Sequence, residues 1–228
     1  MMLDCGIGER CRLSTRNEIR RVMKQTYKIN VSPKYNLREV KTIYYALGEM
    51  ETGLNRLTNN QGLSWMQKNL VDSNIEIPSD LHNSVFRGSA HVLGSTVYLP
   101  KEFTNKRWMS LDGTAGSMII HEFGHVLDNR SKTGLGDASI FGGGAGDQLM
   151  KFINAKPNAG LRFGLGINYG ESPFTGYDTR YPREGTASYG NNSTADYFAN
   201  TFAAAASGYS GASQLSVMWM AAYIDLIK

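Results

Sequence analysis

The motif H-E-F-G-H at residues 121–125 constrains this chain more than any other stretch of its sequence. Two histidines four residues apart lie one turn from each other on the same face of an α-helix, so both imidazoles can reach one metal ion. Glu122 then points to a neighbouring part of the helix surface, where it can take a proton from a metal-activated water and pass it to a leaving amine. The motif therefore predicts a helix over about 113–129 with His121 and His125 as zinc ligands and Glu122 as general base.

Gly124 is an unusual residue for the centre of this helix, because glycine in a helix interior costs about 1 kcal/mol relative to alanine. Its presence predicts that another element approaches the helix closely at this point. Apolar residues surround the motif and predict a buried helix: Met118, Ile119, Ile120, Phe123, Val126 and Leu127. The alternative is a partly buried pair of histidines without a metal. The other two histidines, His82 and His91, are predicted to be packing or surface residues.

The composition is that of a folded domain and excludes several other classes of protein. The 228 residues are 41% apolar and 19% charged, which is typical of one domain whose core forms without a disulfide or metal. Aromatic residues at 11% argue against disorder. The sequence has no internal repeat, which argues against a fibrous or solenoid fold. No apolar run approaches the roughly 18 residues of a membrane span, so we expect no transmembrane segment.

Basic residues are concentrated in residues 1–36, which carry eight Lys/Arg and three Asp/Glu, whereas residues 37–228 sum to a charge of −1. We therefore expect a solvated basic N-terminal arm over 1–36, followed by one domain over 37–228. Such an arm can contact an acidic partner. It lacks the interleaved aromatic residues of a single-strand binder, so the sequence disfavours nucleic acid as a partner. Met1 and Met2 followed by a basic arm are typical of a cut inside a longer protein.

The two cysteines, Cys5 and Cys11, match no common zinc or redox motif. They form either a small disulfide in an exported protein or free thiols in a cytosol. The N-terminus carries no apolar signal segment, so these residues leave the compartment open.

Hydrophobic periodicity predicts a mainly helical chain with a small strand unit. The predicted helices cover residues 37–57, 63–71, 113–129, 147–155, 194–207 and 212–227. Asn36 and Glu39 form a capping-box pattern at the start of the first of these helices. Short strands are predicted over 84–87 and 95–99, ahead of the motif helix. We expect 95–99 to be an edge strand beside the cleft, where it can align an extended peptide by main-chain hydrogen bonds.

Two histidines need a third ligand, and several residues are candidates. Ser131 occupies the position at which metzincins carry a ligand, which disfavours that class. Asp128, three residues after His125, is more typical of a structural carboxylate or an outer hydrogen-bond partner. Asp147 follows His125 by 22 residues on a predicted helix, roughly where thermolysin-like enzymes place a glutamate. Asp196, near the start of another predicted helix, is the strongest candidate.

The segment A-D-Y-F-A-N at residues 195–200 resembles the third-ligand helix of the anthrax lethal factor-like zinc peptidases. That family carries an acidic residue followed by two aromatic residues and an alanine, so the resemblance implies that Asp196 binds zinc. Aspartate is one methylene shorter than the family's glutamate, so its helix must lie closer to the motif helix. Asn200 stands where the family has an acidic residue, and we expect a ligand histidine to lose a hydrogen-bond acceptor there. Tyr189 matches a family tyrosine that hydrogen-bonds the tetrahedral intermediate, which implies an oxyanion donor.

Motif and resemblance together predict a zincin-like α+β fold, in which a small strand unit packs on the motif helix and a mainly helical C-terminal part carries Asp196. They predict a zinc endopeptidase with one Zn²⁺ per chain that acts on a protein or peptide substrate. Residues 185–207 also resemble metallopeptidase toxin domains at the C-terminal ends of bacterial polymorphic (Rhs-type) toxins. That resemblance implies secretion or delivery by a larger toxin, and an inhibitor or immunity protein as partner. The alternative is a non-catalytic binding module, zinc-stabilised or metal-free, that uses the basic arm and Tyr-rich loops.

Overall fold

The structure, a computed structural model, describes residues 3–4, 10–11, 15–85, 88–107, 113–133, 144–154, 194–207 and 214–228. Over these residues the chain is an α+β protein with eight α-helices and a small four-stranded mixed sheet. Cys5 and Tyr189 lie outside the described residues, so the pairing of Cys5 with Cys11 and the role of Tyr189 stay predictions. Within the described ranges, no helix is both long and apolar enough to cross a membrane.

The helices and the strands are each numbered in the order in which they occur along the described chain. The helices are α1 (Arg16–Tyr27), α2 (Leu37–Leu57), α3 (Gly62–Asn69), α4 (Asp80–Val85), α5 (Ala115–Thr133), α6 (Ala145–Asn154), α7 (Thr194–Ser207) and α8 (Gln214–Leu226). The strands are β1 (Leu3–Asp4), β2 (Arg10–Cys11), β3 (Asn30–Val31), β4 (Asn74–Glu76), β5 (His91–Leu93) and β6 (Thr96–Tyr98). A short 3₁₀ helix covers Phe103–Asn105.

The predicted helices are confirmed, and two of them have the predicted bounds to the residue. These two are α2 over 37–57 and α7 over 194–207, while the ends of the others differ by a few residues. The strand predicted over 84–87 is wrong for residues 84 and 85, which end helix α4, while residues 86 and 87 lie outside the described residues. The oxygen Oγ of Ser79 accepts a hydrogen bond from the backbone N–H of His82 at 3.3 Å, which is the contact of a helix N-cap.

The sheet has the strand order β3-β4-β6-β5, in which β3, β4 and β6 run parallel and β5 runs antiparallel to β6. The strand predicted over 95–99 is confirmed as β6. Its prediction as an edge strand is wrong, since β6 pairs with β4 on one side and β5 on the other. The sequence pattern missed β4, whose central residue Ile75 is fully buried opposite Val97. The sheet edge on this side is β5.

Helix α1 and strand β3 lie in residues 1–36, for which the sequence predicts a solvated arm. A capping box between Thr15 and Glu18 starts the helix. One face of the helix is buried in the core through Ile19, Met23 and Tyr27. Arg20 uses its guanidinium Nε to donate a 2.7 Å hydrogen bond to the carbonyl of Val31. The prediction of a solvated arm is therefore wrong for residues 15–36, because they pack against the rest of the domain.

Helix α7 lies at the centre of the helical part and packs against α2, α5, α6 and α8. Its residues from 197 to 206 are almost entirely buried, and many of them are alanines. Small side chains let neighbouring helices approach closely. A Cβ atom added to Gly53 on α2 would lie 1.3 Å from the carbonyl oxygen of Ala206, so the backbones of these two helices touch there. This tight packing fixes the C-terminal end of α7 against α2.

Candidate metal centre

Helices α5 and α7 bring three predicted ligands together. His121 and His125 lie one turn apart on α5, and Asp196 lies in the first turn of α7. Asp196 Oδ1 is 3.2 Å from His125 Nε2 and 4.0 Å from His121 Nε2, while the two Nε2 atoms are 3.1 Å apart. All three ligand atoms lie within 4.8 Å of one another. This cluster could hold a metal ion, and among the described residues it is the only such group of His, Cys, Asp or Glu.

The close approach that Gly124 predicts is confirmed. A Cβ atom at Gly124 would lie 2.6 Å from the Cα atom of Ala199 on α7. Ala199 follows Asp196 by three residues, so it lies about one turn along the same face of α7. The absence of a side chain at Gly124 therefore brings α7 close enough for the short carboxylate of Asp196 to reach the two histidines.

Asn200 hydrogen-bonds the first histidine of the motif. Its Oδ1 lies 2.9 Å from Nδ1 of His121, and its Nδ2 donates a 2.9 Å hydrogen bond to the main-chain carbonyl of Asp196. The expectation that Asn200 deprives a histidine of an acceptor is therefore wrong, because an amide oxygen accepts as a carboxylate does. Helical spacing indicates that Asn200, four residues after Asp196, lies on the same helix face, but it does not identify His121 as the partner.

Glu122 is buried beside the three candidate ligands, with 5% of its surface exposed. Its Oε2 atom is buried and accepts no hydrogen bond from any described residue. Burial raises the pKa of Glu122 to about 7, with the negative charge of Asp196 raising it further and His125 opposing both. A carboxylate with such a pKa can both accept and return a proton near neutral pH.

The two histidines of the motif differ in their affinity for a proton. Burial and the neighbouring His125 lower the pKa of His121 to about 3, although Asp196 and Asn200 oppose this shift. Burial also acts to lower the pKa of His125, but its hydrogen bond to Asp196 and nearby carboxylates outweigh burial and raise that pKa. His121 therefore presents a neutral imidazole at physiological pH, which is the form that binds metals.

The other two carboxylate candidates, Asp128 and Asp147, do not belong to the ligand cluster. Asp128 is fully buried and accepts hydrogen bonds from the backbone N–H of Gly146 at 2.8 Å and from Nζ of Lys132 at 2.6 Å. It thereby anchors the start of α6 on α5, in agreement with its interpretation as a structural carboxylate. Asp147, the alternative third ligand, is exposed in the first turn of α6 and does not belong to the cluster of ligand atoms.

The remaining two histidines pack away from this cluster, as predicted. The ring of His91 stacks on that of Tyr98 at a centroid distance of 4.9 Å, and the ring of His82 contacts both edge-on. His91 is buried, and its Nδ1 lies 3.2 Å from the carbonyl oxygen of Ser89. These contacts hold α4 on the β5–β6 hairpin.

Comparisons with known proteins leave the site to be interpreted from its own chemistry. No family model, no curated protein and no solved structure matches the chain. The geometry defines a class of site, namely a candidate metal centre of two imidazoles and one carboxylate with a buried glutamate beside it. Its donor set and the glutamate are therefore the basis for any assignment of function.

Proposed function

We propose that this chain is a zinc-dependent endopeptidase that hydrolyses peptide bonds in protein or peptide substrates. The observation that carries the proposal is that three side chains converge. His121 and His125 come from consecutive turns of α5, and Asp196 comes from α7. Two imidazole nitrogens and one carboxylate oxygen form a donor set that hydrolytic zinc sites use, with a position left for water or substrate. The adjacent Glu122 supplies the acid–base group that such a reaction needs.

Charge and hydrogen bonding in the site fit a cation. Two carboxylates, those of Glu122 and Asp196, lie beside two imidazoles, and Oε2 of Glu122 is buried without a hydrogen-bond donor from the described residues. A positive ion would favour the ionised form of both carboxylates and give them a partner of opposite charge. When bound to His121, His125 and Asp196, zinc would polarise a substrate carbonyl and acidify the attacking water.

The chain's own residues then move the protons. Glu122 in its ionised form takes a proton from the water as the oxygen of that water bonds to the carbonyl carbon. The same carboxyl group returns a proton to the amide nitrogen as the C–N bond breaks, so an amine and a carboxylate leave. Tyr189 is the proposed hydrogen-bond donor to the developing oxyanion. The toxin context, with delivery by a larger protein and an inhibitor as partner, stays a prediction from resemblance.

Metal content is the first test of this proposal. Two histidines and one carboxylate also suit Fe(II), so zinc and iron must both be measured in protein purified without chelators. We expect about one zinc per chain in the wild type and none in His121→Ala. His91→Asn is the matched control, because it removes a buried histidine that lies outside the ligand cluster, and it should retain zinc. Absence of zinc from the reconstituted wild type would refute the proposal.

Turnover is the second test, with a fluorescently labelled unfolded protein such as casein as substrate. Glu122→Gln keeps the shape of the side chain and should keep zinc, but it removes the general base. We expect cleavage to fall by about 10²–10⁴-fold. Zinc binding without any cleavage by the wild type would instead support the alternative, a zinc-stabilised binding module. Full activity of Glu122→Gln would exclude the proposed mechanism.

A further inference from the structure

Asn200 connects two of the candidate ligands through a single amide group. It lies on α7, one turn after Asp196, and 1% of its surface is exposed. Its Nδ2 is 2.9 Å from the main-chain carbonyl oxygen of Asp196, and its Oδ1 is 2.9 Å from Nδ1 of His121. One end of the amide therefore contacts the ligand helix α7 and the other end contacts the motif helix α5.

The chemistry of these partners allows only one arrangement of protons. A main-chain carbonyl oxygen only accepts hydrogen bonds, so the NH₂ group of Asn200 must face Asp196. The amide oxygen then faces His121, and because that oxygen also only accepts, Nδ1 of His121 must carry the proton. In a neutral imidazole the other nitrogen, Nε2, is then left with its lone pair. Nε2 is the atom of His121 that faces His125 and Asp196.

We propose that Asn200 is a positioning residue that fixes His121 as its Nδ1-protonated tautomer and thereby directs the Nε2 lone pair into the ligand cluster. An amide satisfies both of its partners, whereas a carboxylate would satisfy only His121. A carboxylate at residue 200 would accept a hydrogen bond from His121 equally well. Its second oxygen would face the carbonyl oxygen of Asp196, and the two oxygens would repel each other because neither can donate a hydrogen bond. The asparagine is thus matched to both of its neighbours, and it locks the orientation of His121 to helix α7.

The tautomer can be measured in the metal-free protein by long-range ¹H–¹⁵N NMR correlations of ¹⁵N-histidine-labelled samples. We expect His121 to be protonated at Nδ1 in the wild type, with the other three histidines as internal references. In Asn200→Leu, which keeps the branched shape and the number of side-chain heavy atoms but has no acceptor, we expect Nε2–H to become populated. In Asn200→Asp the acceptor is restored, so His121 should remain protonated at Nδ1. An Nε2-protonated His121 in the wild type would overturn the inference without any variant.

A control variant separates this role from general packing. Thr201 is the next residue on α7, is fully buried and donates from Oγ1 to the carbonyl of Tyr197 at 2.8 Å. Thr201→Val removes a buried hydrogen bond of the same i to i−4 kind that joins Thr201 to Tyr197, so it should leave the tautomer of His121 unchanged. An unchanged tautomer in Asn200→Leu, or an equal change in Thr201→Val, would contradict the inference.

Zinc affinity gives a second readout, which rests on the proposed function. Loss of an outer hydrogen bond to a ligand histidine typically costs about 10–100-fold in metal affinity. We therefore expect zinc to bind about 10–100-fold more weakly to Asn200→Leu than to Thr201→Val in a chelator competition assay. Equal affinities of the two variants would overturn the inference. If the wild type binds no zinc, the proposed function fails, and the tautomer measurement still decides the role of Asn200.

Discussion

Gly124 and Ala199 are in contact where helices α5 and α7 cross. A Cβ atom added to Gly124 would lie 2.6 Å from the Cα atom of Ala199, 3.0 Å from its carbonyl oxygen and 3.1 Å from its Cβ. Two of these three atoms belong to the backbone, which cannot rotate away as the end of a long side chain can. Because Asp196 lies one turn before Ala199, this crossing also sets the distance between Asp196 and the two motif histidines.

Gly124→Ala should therefore weaken metal binding even though it removes no ligand. The added methyl group forces α7 away from α5, and such overpacking typically costs about 1–3 kcal/mol of unfolding free energy. We expect zinc affinity and the free energy of unfolding to fall together, measured by chelator competition and urea denaturation. Gly48→Ala on α2 is the control, since Tyr27 Oη, at 3.9 Å, is the one atom of the described residues outside the local helix backbone within 4 Å of its added Cβ. That variant should be as stable as the wild type, or more stable by up to about 1 kcal/mol.

Asp196→Ala should abolish zinc binding, whereas Asp147→Ala should not. Asp196 contributes an oxygen to the ligand cluster, and Asp147 lies exposed on α6 outside it. Loss of a direct ligand should lower zinc affinity by more than the roughly 100-fold that an outer hydrogen bond can cost. Equilibrium dialysis of both variants against buffered zinc measures the difference. Loss of zinc in Asp147→Ala with retention in Asp196→Ala would reverse the ligand assignment.

Met23 offers a test of whether the basic N-terminal segment belongs to the fold. Its side chain is fully buried, so Met23→Ala should lower the free energy of unfolding by about 2–5 kcal/mol. The adjacent Lys24 is exposed, and Lys24→Ala should change this free energy by less than about 0.5 kcal/mol. Urea denaturation of the two variants gives both values. Equal and small effects would restore the interpretation of this segment as a solvated arm.

Local signals in the sequence predicted the elements that carry the site. The capping box of Asn36 and Glu39 starts α2 at the predicted residue, with hydrogen bonds of 3.0 Å and 2.7 Å between them. The H-E-x-x-H motif lies on a helix as expected, and Asp196 lies beside its histidines. The helix predictions succeeded because capping, helical periodicity and the spacing of the two histidines are properties of residues within a few turns of one another. Asp196 lies 71 residues after His125, and only the resemblance of its segment to a known ligand helix indicated it.

Other features depend on contacts that sequence patterns do not contain. Basic side chains between Ile19, Met23 and Tyr27 obscured the apolar stripe of α1, and the guanidinium of Arg20 turns back to bind a carbonyl. Strands of two or three residues, such as β3 and β4, are too short to show a period of two. The contact between Asn200 and His121 joins residues 79 positions apart and exists only once the helices are packed.

His91 should make the protein less stable as the pH falls below neutral. Burial lowers the pKa of its imidazole below the ordinary value, the charge of His82 lowers it further, and the hydrogen bond to Ser89 opposes both. The folded state therefore takes up a proton on His91 only at a lower pH than the unfolded state does. Between these two pKa values the unfolded state binds more protons, so stability is lost as pH falls through about 6.5, the ordinary value for histidine.

The variant His91→Asn keeps an NH donor near Ser89 but has no titrating ring, so it lacks this loss of stability. We expect the free energy of unfolding of His91→Asn, relative to wild type, to be higher at pH 5.5 than at pH 8, with chelator present at both. Leu93→Ala alters the exposed end of the same strand without removing an ionisable group, so its difference from wild type should not change with pH. A pH-independent difference for His91→Asn would show that the His91 imidazole titrates alike in the folded and unfolded states, contrary to its burial against Tyr98.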